Sequence, residues 1–158
     1  MKNRIVGVLV ALLATVTIGS TARTATNPSA TGSGQIAVKA AVHTFSFNAQ
    51  IQPDGLETGQ AEYRERDSGL QIHINIDCVN IRGNTAILGG IITQSTDDRM
   101  LNDQFFISVT DNGEGMNDKP DMMSFLHLDE PAACVTCRSK LTLSEFPIIR
   151  GNIQVRLD

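Results

Sequence analysis

The chain predicts an all-β fold: an antiparallel sandwich or barrel of about eight strands, mostly a meander. Three observations predict it. Apolar residues recur at every second position, most clearly at Leu70, Ile72, Ile74, Ile76 and Cys78, against Gln71, His73, Asn75 and Asp77. Turn-forming clusters separate these runs at hairpin-like intervals: Pro53-Asp54-Gly55, Asp67-Ser68-Gly69, Arg82-Gly83-Asn84 and Asp111-Asn112-Gly113. A sustained 3.6-residue apolar period is absent beyond the first twenty-odd residues of the sequence.

The N-terminal segment is an address rather than part of the fold. Lys2 and Arg4 form a basic start, residues 5–18 are almost wholly apolar, and Gly19, Ser20, Thr21 and Ala22 are small. This is the pattern of a secretory signal peptide. The apolar run is about 14 residues, short of the roughly 20 that a bilayer core requires. Ser20 and Ala22 suit the small positions before a cut after Ala22; a cut after Ala25 would put Arg23 at one of them. Cysteine does not directly follow the apolar run, so a lipid anchor is not expected. The expected organisation is therefore a signal peptide over 1–22, a flexible Thr/Ser/Ala/Gly/Pro linker over 23–35, and a single β-domain over 36–158. The expected location is secreted, periplasmic or cell-envelope, with no integral membrane segment after cleavage.

Further strands follow from the same period. Phe45, Phe47, Ala49 and Ile51 alternate with Ser46, Asn48 and Gln50. Phe105, Ile107 and Val109 alternate with Phe106, Ser108 and Thr110, and Ile153, Val155 and Leu157 with Gln154 and Arg156. Val79 and Ile81 fall out of phase with Ile76 and Cys78, which predicts a bulge or strand end near Cys78. Gly89-Gly90 inside an apolar run predicts a bend or a close approach of backbone.

Composition narrows the partners. The chain has 158 residues and a net charge of −4. Cleavage after Ala22 would remove Lys2 and Arg4 and no acid, taking the charge to −6. An acidic chain repels phosphate, so nucleic acid is not an expected partner. Trp is absent, Tyr63 is the single tyrosine, and there are six Phe. The aromatic platforms common in sugar-binding surfaces are therefore scarce.

Export would place Cys78, Cys134 and Cys137 in an oxidising compartment. Three cysteines allow one pair and one remaining thiol, or a bridge between chains. Cys134-x-x-Cys137 follows Asp129-Glu130-Pro131 and precedes a strand-like run, not the helix that a redox pair opens. Zinc would need a fourth ligand from His43, His73 or His127, and no spacing supports one. Arg138 after Cys137 excludes a haem-attachment motif. The expectation is a structural disulfide between Cys78, in phase with a core-facing strand, and Cys134, with Cys137 as the alternative; a local 134–137 bridge would constrain little.

The most site-like segment is residues 111–121. Asp111, Asn112, Glu114, Asp118 and Asp121 supply the oxygen ligands that calcium takes, although their spacing is not that of an EF-hand. Asp97, Asp98 and Asp103 would join them if the two loops met at one end of the fold. Otherwise these are polar loops whose Asp and Asn bond their own backbone. Glu57, Glu62, Glu65, Asp77 and Glu114 are available as a glycosidase pair, which only distance across a cleft could define. His73 sits on a polar strand face, and no Gly-x-Ser-x-Gly nucleophile accompanies it. No catalytic residue and no cofactor other than calcium is expected.

The order of several segments carries a resemblance. Phe45-Ser46-Phe47-Asn48-Ala49-Gln50 precedes Gly59-Gln60-Ala61-Glu62-Tyr63. Cys78 precedes Gly83-Asn84-Thr85-Ala86 and Gly89-Gly90. Phe106-Ile107-Ser108-Val109 runs into Thr110-Asp111-Asn112-Gly113-Glu114-Gly115, and Gly151-Asn152-Ile153-Gln154-Val155 closes the chain. Over about residues 42–157 this resembles an unnamed group of exported bacterial small β-domain proteins of unknown function. The resemblance implies export and a small β-domain, and carries over no functional residue. It also implies a single cysteine near 134–137, so the Cys-x-x-Cys departs from it and leaves the pairing open. The expected function is that of a non-enzymatic exported β-domain, a binding or envelope-associated module. The alternatives are a calcium-dependent or small-ligand-binding barrel and a small secreted hydrolase.

Overall fold

A computed structural model describes residues 26–39, 41–115, 118–128, 137–139 and 143–157. The expected signal peptide and Cys134 lie outside these residues. Among the described residues nine strands form: β1 (Ser29–Val38), β2 (Ala41–Ile51), β3 (Glu57–Glu65), β4 (Gln71–Arg82), β5 (Thr85–Ser95), β6 (Gln104–Thr110), β7 (Met122–Ser124), β8 (His127–Leu128) and β9 (Glu145–Arg156). Eight of them close an antiparallel barrel in the order β1-β2-β3-β4-β5-β6-β7-β9, with β8 added on β6. Closure pairs most of the sheet edges that would otherwise invite aggregation. Among the described residues, no helix is long and apolar enough to cross a membrane.

The predicted alternation places the core. Phe45, Phe47, Ala49, Ala61, Tyr63, Ile72, Ile74 and Ile76 point inward and are buried. They meet Leu88, Ile92, Phe105, Ile107 and Val109 from the far side of the barrel. The interior is filled: the cavity beside Tyr63, Phe105 and Met123 measures about 10 Å³. That is the scale of one water at most, far below the several hundred Å³ of a ligand pocket.

Residues 29–35 correct the expected linker boundary, because they form most of β1. Ala30 and Ile36 are fully buried, and β1 pairs with both β2 and β9. Its inward positions between them are Gly32 and Gly34, so the period of two carries no apolar signal. The space is needed by rings from the neighbouring strand. A Cβ on Gly32 would lie 2.8 Å from Phe47 Cζ, and one on Gly34 would lie 2.4 Å from the Arg150 carbonyl oxygen.

The bulge expected near Cys78 is present, with Ile76 opposite Gly90 but Cys78 opposite Gly89. It changes the phase of β4. Val79 continues into the core, while Cys78 turns outward with Asn80, opposite Ile87. Cys78 is thus fully buried but not core-facing, which corrects the expectation. Gly90 makes the expected close approach: a Cβ there would lie 2.0 Å from the Asn75 carbonyl oxygen.

The barrel wall has one thin place. β7 is three residues long; it joins β6 at Val109 and Thr110 and meets β9 at Glu145, Phe146 and Pro147. Beyond Pro147, β9 has β1 on one side and, among the described residues, no strand on the other. The 111–121 loop fills that notch.

Candidate functional site

The strands β1 to β4 share an outer face whose side chains fall into rows across the sheet. Thr31, Asn48, Gln60 and Asn75 form one row; Ser33, Ser46, Glu62 and His73 the next; Gln35, Thr44, Arg64 and Gln71 a third. Asn152 and Gln154 of β9 continue the rows on one side, and Ile91 and Gln94 of β5 on the other. Adjacent antiparallel pairs put these side chains within reach of one another. The wall is rich in hydroxyls and amides, and carries no lysine. Three hollows of about 560, 480 and 460 Å³ lie over it and share lining residues: Ser46 and Glu62 join two, and Asn48, Gln60 and Asn75 join two.

Charge in the middle of the wall centres on Glu62. His73 Nδ1 lies 3.2 Å from Glu62 Oε1, and Arg64 lies 4.0 Å from Glu62 Oε2. The Gln71 amide nitrogen lies 3.2 Å from His73 Nε2. With that amide donating to Nε2, the ring keeps its proton on Nδ1 and donates to Glu62. The order of this row matters chemically. Glu62 stands between Ser46 and His73, so strand spacing of about 4.8 Å puts the hydroxyl and the imidazole roughly 10 Å apart. A nucleophile–base relay needs them in hydrogen-bond contact.

The five residues proposed for calcium lie in one loop, and each of the four carboxylates accepts from backbone or amide N–H groups. Asp121, 4 % exposed, accepts from Asn112 N at 2.8 Å and from Ile153 N at 2.7 Å. Asp111 accepts from Gly113 N and, through its other oxygen, from Val155 N, both at 2.9 Å. Glu114 accepts from Gln154 at 2.7 Å and Asn152 at 2.9 Å. These two bonds, Gln154 foremost, hold the Glu114 carboxyl below its ordinary range. Asp118 accepts from Gly115 N, and the Asn112 amide donates to the Pro120 carbonyl at 2.7 Å. The loop therefore stands in for a missing strand: carboxylates satisfy N–H groups that a ladder would otherwise take. Among the described residues, no three His, Cys, Asp or Glu side chains form a metal-holding group.

Asp97, Asp98 and Asp103 do not join this loop. They lie between β5 and β6, while residues 111–121 follow β6, so one antiparallel strand separates the two loops to opposite ends of the barrel. Asp97 caps the 3-10 turn Asp98–Met100 and pairs with Arg99 at 2.7 Å, which holds its carboxyl below the ordinary range. Glu57 is likewise spent structurally, accepting from Val79 N at 2.9 Å and Arg138 at 3.2 Å.

The disulfide joins Cys78 to Cys137, not the favoured Cys134. The outward turn of Cys78 after the bulge explains where its partner must come from. Residues 137–139 lie over this outer face, with Asn80 donating to the Cys137 carbonyl at 2.6 Å and Arg82 to the Arg138 carbonyl at 3.1 Å. Cys78, Cys137 and Ile87 form a small second core outside the barrel. Beside it Phe106, also facing out, stacks on His127 with ring centroids 4.9 Å apart.

At the barrel end where β2 begins and β3 finishes, His43 and Tyr63 are buried and stacked, 5.4 Å between centroids, with Phe125 edge-on to His43. Among the described residues, His43 Nδ1 and the Tyr63 hydroxyl have no hydrogen-bond partner. Burial, and then the charge of Glu65, push the Tyr63 phenol well above its ordinary range.

The outer wall is the feature that a site-by-site reading of the sequence misses. Its signal was the uncharged character of the wet positions in the predicted strands, Ser46, Asn48 and Gln50 above all. No protein family, curated protein or solved structure matches this chain.

Proposed function

We propose that this is an exported, non-enzymatic binding domain that meets its ligand on the outer wall of β1 to β5. The observation that carries this reading is the filled interior, with a cavity of about 10 Å³, beneath outer hollows of up to about 560 Å³. A barrel that stores a small apolar ligand needs the reverse arrangement. Export rests on the basic, apolar and small-residue order of residues 1–22, and the Cys78–Cys137 bridge suits an oxidising compartment.

The test uses the exported, disulfide-intact protein and the insoluble envelope fraction of the cells that produce it. The domain is retained on that fraction, and the double variant Gln60→Arg, Asn75→Arg is not. Both side chains are exposed, so the variant keeps its fold. Equal retention of the two proteins, or retention of neither, contradicts the outer-wall reading. N-terminal sequencing of the exported chain checks the address: it begins at Arg23, and an uncleaved chain held in the cytoplasm contradicts export.

A further inference from the structure

We propose that the ligand of the outer wall is an uncharged, polyhydroxylated chain, a neutral glycan; this rests on the outer-wall reading and names its chemistry. Three properties of the wall point there. The first is its mixture of donors and acceptors. Asn48, Gln60 and Asn75 each present both, and Thr31 and Ser46 add hydroxyls that serve as either. Sugar hydroxyls also donate and accept, so such a grid can satisfy them where an all-donor or all-acceptor surface could not.

The second property is charge. Glu62 is flanked by His73 and Arg64, and the only other charge along the hollows is Arg150 at the β9 end, so among the described residues the wall carries scattered arginines and no lysine. A phosphate chain would find no basic stripe, and the chain as a whole is acidic. The third is the scarcity of apolar anchors. Ile91 is the large apolar side chain at the wall's margin, 37 % exposed. Protein interfaces concentrate their energy in buried aromatic and arginine anchors; the two middle rows of this wall carry neither, Arg64 and Arg150 lying in the outer row. A glycan here would be held by hydrogen bonds without the aromatic platforms that many sugar-binding surfaces add.

The shape favours a chain over a single sugar. The three hollows share residues and run from Arg150 and Gly151 on β9 to Thr93 and Gln94 on β5. From β1 to β5 alone this is roughly 20 Å at strand spacing. An open, wet groove of this kind relies on many weak and water-bridged hydrogen bonds, each small, summed along the chain.

The experiment treats the same envelope fraction in four ways before adding the protein. Periodate cleaves sugars that carry vicinal diols, and a glycosidase mixture added to a parallel sample covers chains that lack them; protease removes proteins; high salt screens charge. The proposal expects retention to be lost after periodate or glycosidase and unchanged after protease and in high salt. Retention that survives both periodate and glycosidase but is lost after protease assigns the wall a protein partner and overturns the proposal. Loss in high salt assigns a charged ligand and overturns it equally. In both of these cases the outer-wall reading stands, provided the Gln60→Arg, Asn75→Arg variant is still not retained. Absence of retention on the untreated fraction takes down both.

Discussion

The two sides of this barrel are built on the same period-two strands and differ only in what the outward positions carry. On the β1 to β4 side these positions are mostly Ser, Thr, Asn and Gln, with Glu62, Arg64 and His73 among them, and the face is open to water. On the side of the β4 end, β5 and β6 they include Cys78, Ile87 and Phe106, which are buried in a second small core or beneath a stacked ring. A one-residue bulge at Ile76 and Cys78 makes the switch within a single strand. The lesson is that the barrel interior supports both walls equally. The covered wall fixes the fold through a disulfide, and the open wall is left with side chains that stability does not require.

Breaking the covered wall should have the largest effect. Cys137→Ser opens a loop spanning 59 residues of sequence separation, which the chain-entropy account values at about 4 kcal/mol. Urea unfolding of the variant measures it, with Ile87 and Phe106 amides losing exchange protection first. A loss below about 1 kcal/mol would mean that the cover adds little to the barrel.

Gly34→Ala tests the β1–β9 closure beneath the open wall. Its Cβ would strike the Arg150 carbonyl, a backbone atom. Strain of about 1–3 kcal/mol is expected, read as a lowered urea midpoint.

Asp121→Ala tests the seal that joins the two walls. It leaves the Asn112 and Ile153 N–H groups without their acceptor, at about 1–3 kcal/mol. Hydrogen exchange should quicken at Ile153 more than at Gln154. Because these carboxylates are engaged by N–H groups, added calcium should leave Tm unchanged; a rise with calcium and a fall with chelator would make the loop a metal site instead.

Tyr63→Phe sharpens the account of the shared interior. The hydroxyl is buried without a partner among the described residues. Removing it should leave stability unchanged or raise it by about 1 kcal/mol. A fall of that size would reveal a partner for the hydroxyl.

The smallest effect is one of pH. The folded Glu114 carboxyl is depressed by its bonds from Gln154 and Asn152. Its contribution is therefore present above the unfolded carboxylate pKa and is lost as pH falls through the folded value. Comparing Glu114→Gln with the parent across the acid range reads this directly: the parent should lose slightly more stability on acidification.

Much of the fold is legible because one wall of each strand is apolar. The Leu70-to-Cys78 alternation becomes β4, Phe45-to-Ile51 becomes β2, and the four turn clusters lie between strands as expected. β1 is not legible, because Gly32 and Gly34 must be small to admit Phe45 and Phe47, and that need exists only after β1 and β2 pair. The roles of Asp111 and Asp121 are hidden for a similar reason. Their partners, Val155 and Ile153, lie 44 and 32 residues away, and a carboxylate bound to distant backbone has the same sequence as one bound to calcium. His73 and Glu62 are each recognisable as wet-face residues, but only the β3–β4 register sets them side by side.

The central claim is that ligand is met on the open wall and not inside the barrel. Side-chain NMR of the folded protein tests it most directly, using soluble fragments released from the envelope fraction. The claim predicts that the side-chain amide signals of Asn48, Gln60 and Asn75 shift on titration, while the methyl signals of Ile36, Leu88 and Ile107 stay fixed. Shifts confined to those interior methyls, with the wall amides unmoved, would contradict it.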